Sequence, residues 1–490
     1  MSSVFGLIRG FYIARTMVPA DYGVWSLVAA LLSYANYADT GVNTGFILEV
    51  PRLIGVGHMD QAIRVQRQAF TATLLVTGVV AALVFTGSFW PGLVAGQYGA
   101  NLRIVAAGVV VFGLLNYYQV VARIEDRWQA IGAATIATTI VSTAGVVVAG
   151  TVTGHLTVEA SALFAVLGSA AAVLMLFAGK RSAPAWQVDW AVLRRLMAIG
   201  LPVSLWPLGF TAFQNADRWI VAGAVSRTDL GYYGLGTTFG LFLYLVPNTL
   251  AMVLFTRQIA AFGATGDPRK SESIVLPPIQ ASGYVMAWLA GAMVLAMPFI
   301  VHYVTPSYSP ALRVATLQVI GNCLLFAMPV AANYLISTKR QALLVAIVGV
   351  VALFEIALVA VLVRTKLGID GAAWAVLVSD GLCTGAVVTV CLRLFDIDLR
   401  AALSRVCLYF LPFALCLPVA LLLSPFGRVT DVPSADGAHL LLLGIAYVGL
   451  SVPLCLAASK MSGFLAEPVV AARVRTHLPG ALSTFLLGRS

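Results

Sequence analysis

Fourteen apolar runs, each near the length that crosses a bilayer, divide this 490-residue chain, and short polar links separate them. They begin with 4–18, 22–47, 68–94 and 102–122 and end with 404–424 and 438–458. A spanning helix needs about 20 apolar residues, and in hydrocarbon every backbone polar group must be paired within the segment, so runs of this length spell helices. With 60% hydrophobic and only 10% charged residues, the chain has too little polar surface to cover a soluble globule. The expected fold is an all-α integral membrane protein of about 14 transmembrane helices.

The runs repeat. Asp21-Tyr22-Gly23 opens one that ends in Arg52 and Asp60, and Asp229-Leu230-Gly231 opens another that ends in Arg257 and Asp267. These landmarks lie 208 and 207 positions apart, and Arg127-Trp128-Gln129-Ala130 answers Lys339-Arg340-Gln341-Ala342 at a similar offset. The pattern predicts one unit used twice: two pseudo-symmetric six-helix lobes over 1–190 and 191–400, a C-terminal helical hairpin over 401–460, and a tail over 461–490. An even number of helices per repeat gives both copies the same orientation, with the pseudo-twofold axis along the membrane normal. The tail from Lys460 to Ser490 is expected to hold a short surface helix, with Arg473 and Arg475 near the headgroups.

Lys and Arg fix the orientation. The links after helices 2, 4, 6, 8, 10 and 12, together with the tail, hold 21 of the 30 basic residues, which places both termini in the cytoplasm. Topology thus accounts for the net charge of +10 without a nucleic-acid partner. The six cysteines all fall inside apolar runs and form no Cys-x-x-Cys pair, so neither a disulfide framework nor a metal site is expected. No motif calls for a cofactor. Only eight residues precede Arg9, whereas its repeat counterpart near Asp217 follows about twenty helical residues, so the chain is expected to begin inside its first helix.

Polar residues within the spans mark the interior. On the run 22–47, Ser33, Asn36, Asp39, Thr40, Asn43 and Thr44 recur at spacings of three and four, which puts them on one helical face. Thr237, Tyr244 and Asn248 mark a comparable stripe in the second copy. Hydrogen bonds between packed helices would explain one such stripe; corresponding stripes in both halves favour a hydrated cavity on the pseudo-axis. Arg9, Asp39, Glu355 and Asp380 are ionisable residues at membrane depth, where a charge costs about 2.5 to 3.5 kcal/mol on the insertion scale. Arg52 and Arg257 end corresponding helices and either turn inward or snorkel to headgroups. Pro202, Pro207, Pro247, Pro277, Pro278 and Pro329 lie within spans of the second half, which is therefore expected to hold the bent helices.

Taken in order, Ala14-Arg15, Pro19-x-Asp21-Tyr22-Gly23-x-Trp25, Asp39-x-Gly41, Asp217-Arg218, Gly231-x-Tyr233, Pro247 and Arg257 resemble the polysaccharide flippases (Wzx type) of the MOP superfamily, which also holds the lipid II flippase MurJ and the MATE exporters. The resemblance covers helices 1 to 12. It implies a V-shaped cavity between two lobes, alternating access, and a polyprenyl-pyrophosphate-linked oligosaccharide as substrate, moved across the bacterial inner membrane with H+ or Na+ as coupling ion and polysaccharide polymerases among the pathway partners. On that reading Arg9, Arg52 and Arg257 are the phosphate contacts. Asn36, Tyr244 and Asn248 complete the substrate site, and Asp39, Glu355 and Asp380 serve ion coupling. A MATE-like cation antiporter is the near alternative and would want an anionic cavity. A membrane-embedded polymerase or ligase is a further one, but such enzymes usually carry a large outer loop, and the longest here, 425–437, is too short for a domain.

Overall fold

A computed structural model of the chain describes residues 2–39, 41–90, 98–178, 186, 189–424, 429 and 433–461. Thr40, most of the 425–437 link and the expected tail helix lie outside the described residues. The secondary structure is sixteen α-helices and two 3-10 turns, with no strand among the described residues. The first eight helices are α1 (Ser2–Thr16), α2 (Pro19–Ala35), α3 (Val42–Gly55), α4 (Met59–Gly87), α5 (Gly99–Ile124), α6 (Trp128–Thr153), α7 (Val158–Ala178) and α8 (Trp190–Ala224). Then come α9 (Arg227–Thr265), α10 (Glu272–Val304), α11 (Leu312–Leu324), α12 (Met328–Ser337), α13 (Gln341–Leu362), α14 (Gly368–Leu394), α15 (Leu399–Leu423) and α16 (Pro433–Met461). Among the described residues twelve spans are long and apolar enough to cross a membrane, α11 and α12 counting as one, so this is a multi-pass membrane protein. The other two expected spans are α1, of 15 residues, and the pair α2 and α3.

That pair departs from expectation, because the run 22–47 is not one helix. The chain leaves α2 at Ala35 and re-enters helix at Val42, through Gly41 at φ +88°, a left-handed conformation that glycine adopts without steric cost. Asp39 makes the restart possible: its Oδ1 accepts from Gly41 N at 3.5 Å and its Oδ2 from Asn43 N at 3.1 Å, so two backbone groups at the start of α3 find a carboxylate. The polar stripe therefore interrupts the helix as well as lining it, since short polar side chains compete for backbone groups. Pro51 lies inside α3. In the second half, Pro202, Pro207, Pro247, Pro277 and Pro278 sit inside helices that continue past them, as a bend without a break allows. The interruption there falls at 325–327, and Pro329 follows it in the first turn of α12, where its missing N–H is harmless.

The chain divides into two compact units, Met1–Gly234 and Leu235–Ser490. In the first, α5 is the central post: it packs on α2, α3, α4, α6 and α7. Tyr117 anchors it, 1% exposed, stacked on Phe46 of α3 at 5.5 Å and edge-on to Phe70 of α4 at 5.3 Å, with its hydroxyl donating to Gln66 O at 3.1 Å. In the second unit α14 packs on α11, α12, α13 and α15, and α10 on α11, α12, α15 and α16.

Two glycine seams join helices of the first unit. Along α3 and α8, a Cβ at Gly45 would collide with Leu196 O and one at Gly200 with Gly41 O, so only hydrogen lets these backbones approach. Thr44 accepts a 2.8 Å hydrogen bond from Ser204 on the same seam. Between α2 and the start of α9, a Cβ at Gly231 would strike Pro19 O, and one at Gly23 would strike Arg227 O and come within 2.9 Å of Gly231 N. Gly23 and Gly231 are the repeat-related glycines of the sequence. We expect Gly45→Val and Gly200→Val to destabilise the protein by about 3 kcal/mol or more, at the upper end of overpacking costs. Gly209→Val, where a Cβ meets nothing within 4 Å, should be tolerated. Thermal unfolding in detergent checks this; equal melting of all three variants would contradict it.

Candidate functional site

The first unit carries a half-buried cation on its first helix. Arg9 is half-buried midway along α1, and its Nη1 donates to Ser142 Oγ on α6 at 2.7 Å. Among the described residues no carboxylate pairs with it, so a neutral hydroxyl positions the guanidinium and leaves its charge uncompensated. Tyr12 holds α1 in place by donating to Val147 O at 3.1 Å, next to Gly150, where a Cβ would come within 2.7 Å of the Tyr12 hydroxyl.

Asp39 belongs to a second cluster in this unit. Besides capping α3, it holds Asn43, whose Nδ2 donates to Gly113 O on α5 at 3.3 Å and whose Oδ1 accepts from Thr73 on α4 at 3.1 Å. Asn36 is exposed at the end of α2, its Nδ2 donating to Leu32 O and its carbonyl accepting from Asn116 of α5 at 2.8 Å.

Arg52 lies at a third. Its side chain is 65% exposed and pairs at 3.5 Å with Glu49, one turn earlier on α3 and only 3% exposed. Glu49 also takes a 2.6 Å contact from Arg195 of α8. A cavity of about 240 Å³ opens here, lined by Glu49, Gln61, Arg64, Gln68, Asp189 and Arg195 among others. The sequence reading passed over Glu49, although an acid three residues before Arg52 in an otherwise apolar stretch was the signal for it. Arg218, part of the Asp217-Arg218 pair noted in the sequence, is 6% exposed on α8, with no partner for Nε among the described residues, beside Tyr34 and Asp217. Tyr233 donates to Asp217 Oδ2 at 2.5 Å.

The second unit gathers acids. Glu355 of α13 and Asp380 of α14 are 1% and 3% exposed, and both act electrostatically on Cys383, one turn along from Asp380. Tyr244 of α9 lies within the field of Asp380 and Cys383. Gly321 of α11 lets the backbone approach the acid, since a Cβ there would sit 3.2 Å from Asp380 Oδ2. Buried polar groups surround these helices. Gln318 is 1% exposed with neither amide atom paired among the described residues, and the hydroxyls of Ser379 and Thr384 are likewise unpaired. This is an environment able to hold a proton or a small cation, since unpaired buried donors and acceptors are costly unless something meets them. On α9, Asn248, one turn beyond Tyr244, and Arg257 are exposed. Among the described residues no three His, Cys, Asp or Glu side chains come together as a metal site.

The structure thus brings Tyr244, Asp380 and Glu355 into one neighbourhood, and leaves Arg9, Asp39 and Arg52 in three separate settings of the first unit. No curated protein matches the sequence significantly. Among solved structures, the fold is similar to the lipid II flippase MurJ in an inward closed conformation, with TM-score 0.70 and 10% identity over 94% of this chain and 97% of that one. It is also similar to an inward-facing multidrug resistance MATE transporter of the MOP superfamily, with TM-score 0.66 and 12% identity over 82% and 96%. A third likeness is to a MOP superfamily transporter from Pyrococcus furiosus, with TM-score 0.57 and 14% identity over 82% and 92%. These likenesses show the fold that those proteins share. The model of a family described as polysaccharide biosynthesis protein matches residues 12–313, well over half of the sequence, and the chain belongs to that family.

Proposed function

We propose that this protein is a flippase that moves a polyprenyl-pyrophosphate-linked oligosaccharide across the bacterial inner membrane by alternating access, supplying surface polysaccharide assembly without itself catalysing a covalent step. In this reading both termini are cytoplasmic, and the lobes comprise 1–190 and 191–400, followed by the hairpin 401–460 and the tail 461–490. The observation that carries it is Arg9, a half-buried guanidinium with a hydroxyl as its described partner. A pyrophosphate needs such a donor, and an organic cation would be repelled by it, which favours the lipid-linked anion over a MATE-like substrate. The polyprenyl tail stays in lipid. Asn36, Tyr244 and Asn248 then contact sugar or phosphate, and Asp39, Glu355 and Asp380 carry the coupling H+ or Na+. The seam between α3 and α8, closed by Glu49 and Arg195, serves as one gate. The seam between α2 and α9 serves as the other.

Arg52 and Arg257 are the remaining phosphate contacts in this account, and Glu49 makes the role of Arg52 testable. In a strain that depends on this gene, Arg52→Lys and Arg257→Lys should impair surface polysaccharide and leave lipid-linked precursor inside, because an ammonium cannot reproduce the guanidinium fork. If Arg52 acts on substrate, Glu49→Gln will not restore export to Arg52→Ala. Full rescue by Glu49→Gln would mean that Arg52 only neutralises Glu49. Normal surface polysaccharide in a strain lacking the gene altogether would overturn the proposed function.

A further inference from the structure

The hairpin of α15 and α16 carries a pair of thiols to which the proposed function gives no role. Of the six free cysteines, Cys416 and Cys455 are the two whose sulfurs touch, Sγ to Sγ at 3.3 Å across |i−j| of 39 positions. A disulfide bond is about 2.05 Å long, so little more than an ångström of approach separates contact from covalent bond. Cys416 is fully buried, while Cys455 is half-buried on the flank of α16. The Tyr447 hydroxyl lies beside Cys416 and donates to Trp288 O of α10 at 3.2 Å, which fixes the depth of the pair against α10. Asp436 accepts from Tyr303 at 2.6 Å nearer the other end of α16. Helix α16 is thus tied to α10 by two polar contacts, and to α15 by the two sulfurs.

We propose that Cys416 and Cys455 form a modification site, a reversible disulfide staple between α15 and α16 made by lipid hydroperoxides. The class of oxidant follows from the setting, because both thiols lie within candidate membrane-spanning helices, where an apolar peroxide concentrates and a polar one is depleted. Cys455, the more accessible sulfur, attacks the terminal peroxide oxygen; the O–O bond breaks, the lipid alcohol leaves with the proton, and Cys455 becomes a sulfenic acid. Cys416 then attacks the Cys455 sulfur; the S–S bond forms, the S–O bond breaks, and the hydroxyl departs with the Cys416 proton as water. Two thiols are oxidised by two electrons in all, and one hydroperoxide is reduced to alcohol and water.

The test treats native membranes containing the full chain with cumene hydroperoxide, blocks remaining thiols with an alkylating reagent, and maps peptides by mass spectrometry. The expected product is a linked Cys416–Cys455 peptide that a dithiol reductant releases and that disappears in Cys416→Ser and in Cys455→Ser. In Cys416→Ser, a sulfenic acid trapped by dimedone should accumulate at Cys455. Membranes in which exposed Cys407 alkylates normally but no linked peptide forms would overturn the proposal, as would dimedone adducts on both cysteines of the unsubstituted protein.

Discussion

Arg9→Ala is expected to lower translocation of the lipid-linked oligosaccharide at least about 30-fold, the equivalent of about 2 kcal/mol, the low end of what truncating one partner of a buried charge pair costs. The side chain is half-buried, and Ser142 supplies it with orientation but no charge. Its loss leaves no negative group of the protein stranded among the described residues, so stability should change little while transport collapses. Arg9→Lys should recover part of the rate, since a compact ammonium restores the charge but not the planar fork. Ser142→Ala should weaken transport less than Arg9→Ala, because it frees the guanidinium without removing it. Precursor accumulation in the inner leaflet, measured at matched expression, checks all three. Wild-type export by Arg9→Ala would remove this residue from the mechanism.

The second large effect concerns the buried acids of the second unit. Asp380→Asn and Glu355→Gln preserve shape and abolish the negative charge, so they should uncouple the protein: transport should no longer respond to an imposed proton or sodium gradient. Melting should stay close to that of the unsubstituted protein, because a neutral amide is cheaper to bury than a carboxylate. Comparing rates with and without each gradient identifies the ion as well. The result against the account is a double variant that responds fully to both gradients.

How far the sequence foretold this arrangement varies along the chain. The helices were legible wherever an apolar run was long and unbroken, as in α4, α6 and α13, since length and hydropathy suffice there. The break after α2 was not, because the stripe of Ser33, Asn36, Asp39 and Asn43 reads equally as a continuous polar face. What separates the two readings is whether Asp39 turns back onto the amides of Gly41 and Asn43, a tertiary choice. Prolines mark no comparable break: Pro202, Pro207 and Pro247 lie within helices that continue past them. Among candidate site residues, the acids Glu355 and Asp380 announced themselves by sitting in apolar runs. Glu49 did so as plainly, yet its link to Arg195 crosses well over a hundred positions and no local pattern encodes it. The meeting of Cys416 with Cys455 was hidden likewise, because apolar spacing shows that both cysteines are in helices and not which faces meet.

The most direct test of the central claim is translocation in proteoliposomes holding the purified protein and a polyprenyl-pyrophosphate-linked oligosaccharide in both leaflets. A membrane-impermeant glycosidase added outside digests only the outer pool unless the lipid is flipped. The account predicts that the unsubstituted protein exposes the inner pool to digestion and that Arg9→Ala leaves it protected. A protected inner pool with the unsubstituted protein, in vesicles where the same preparation exports an organic cation, would contradict the account and assign the chain to cation transport.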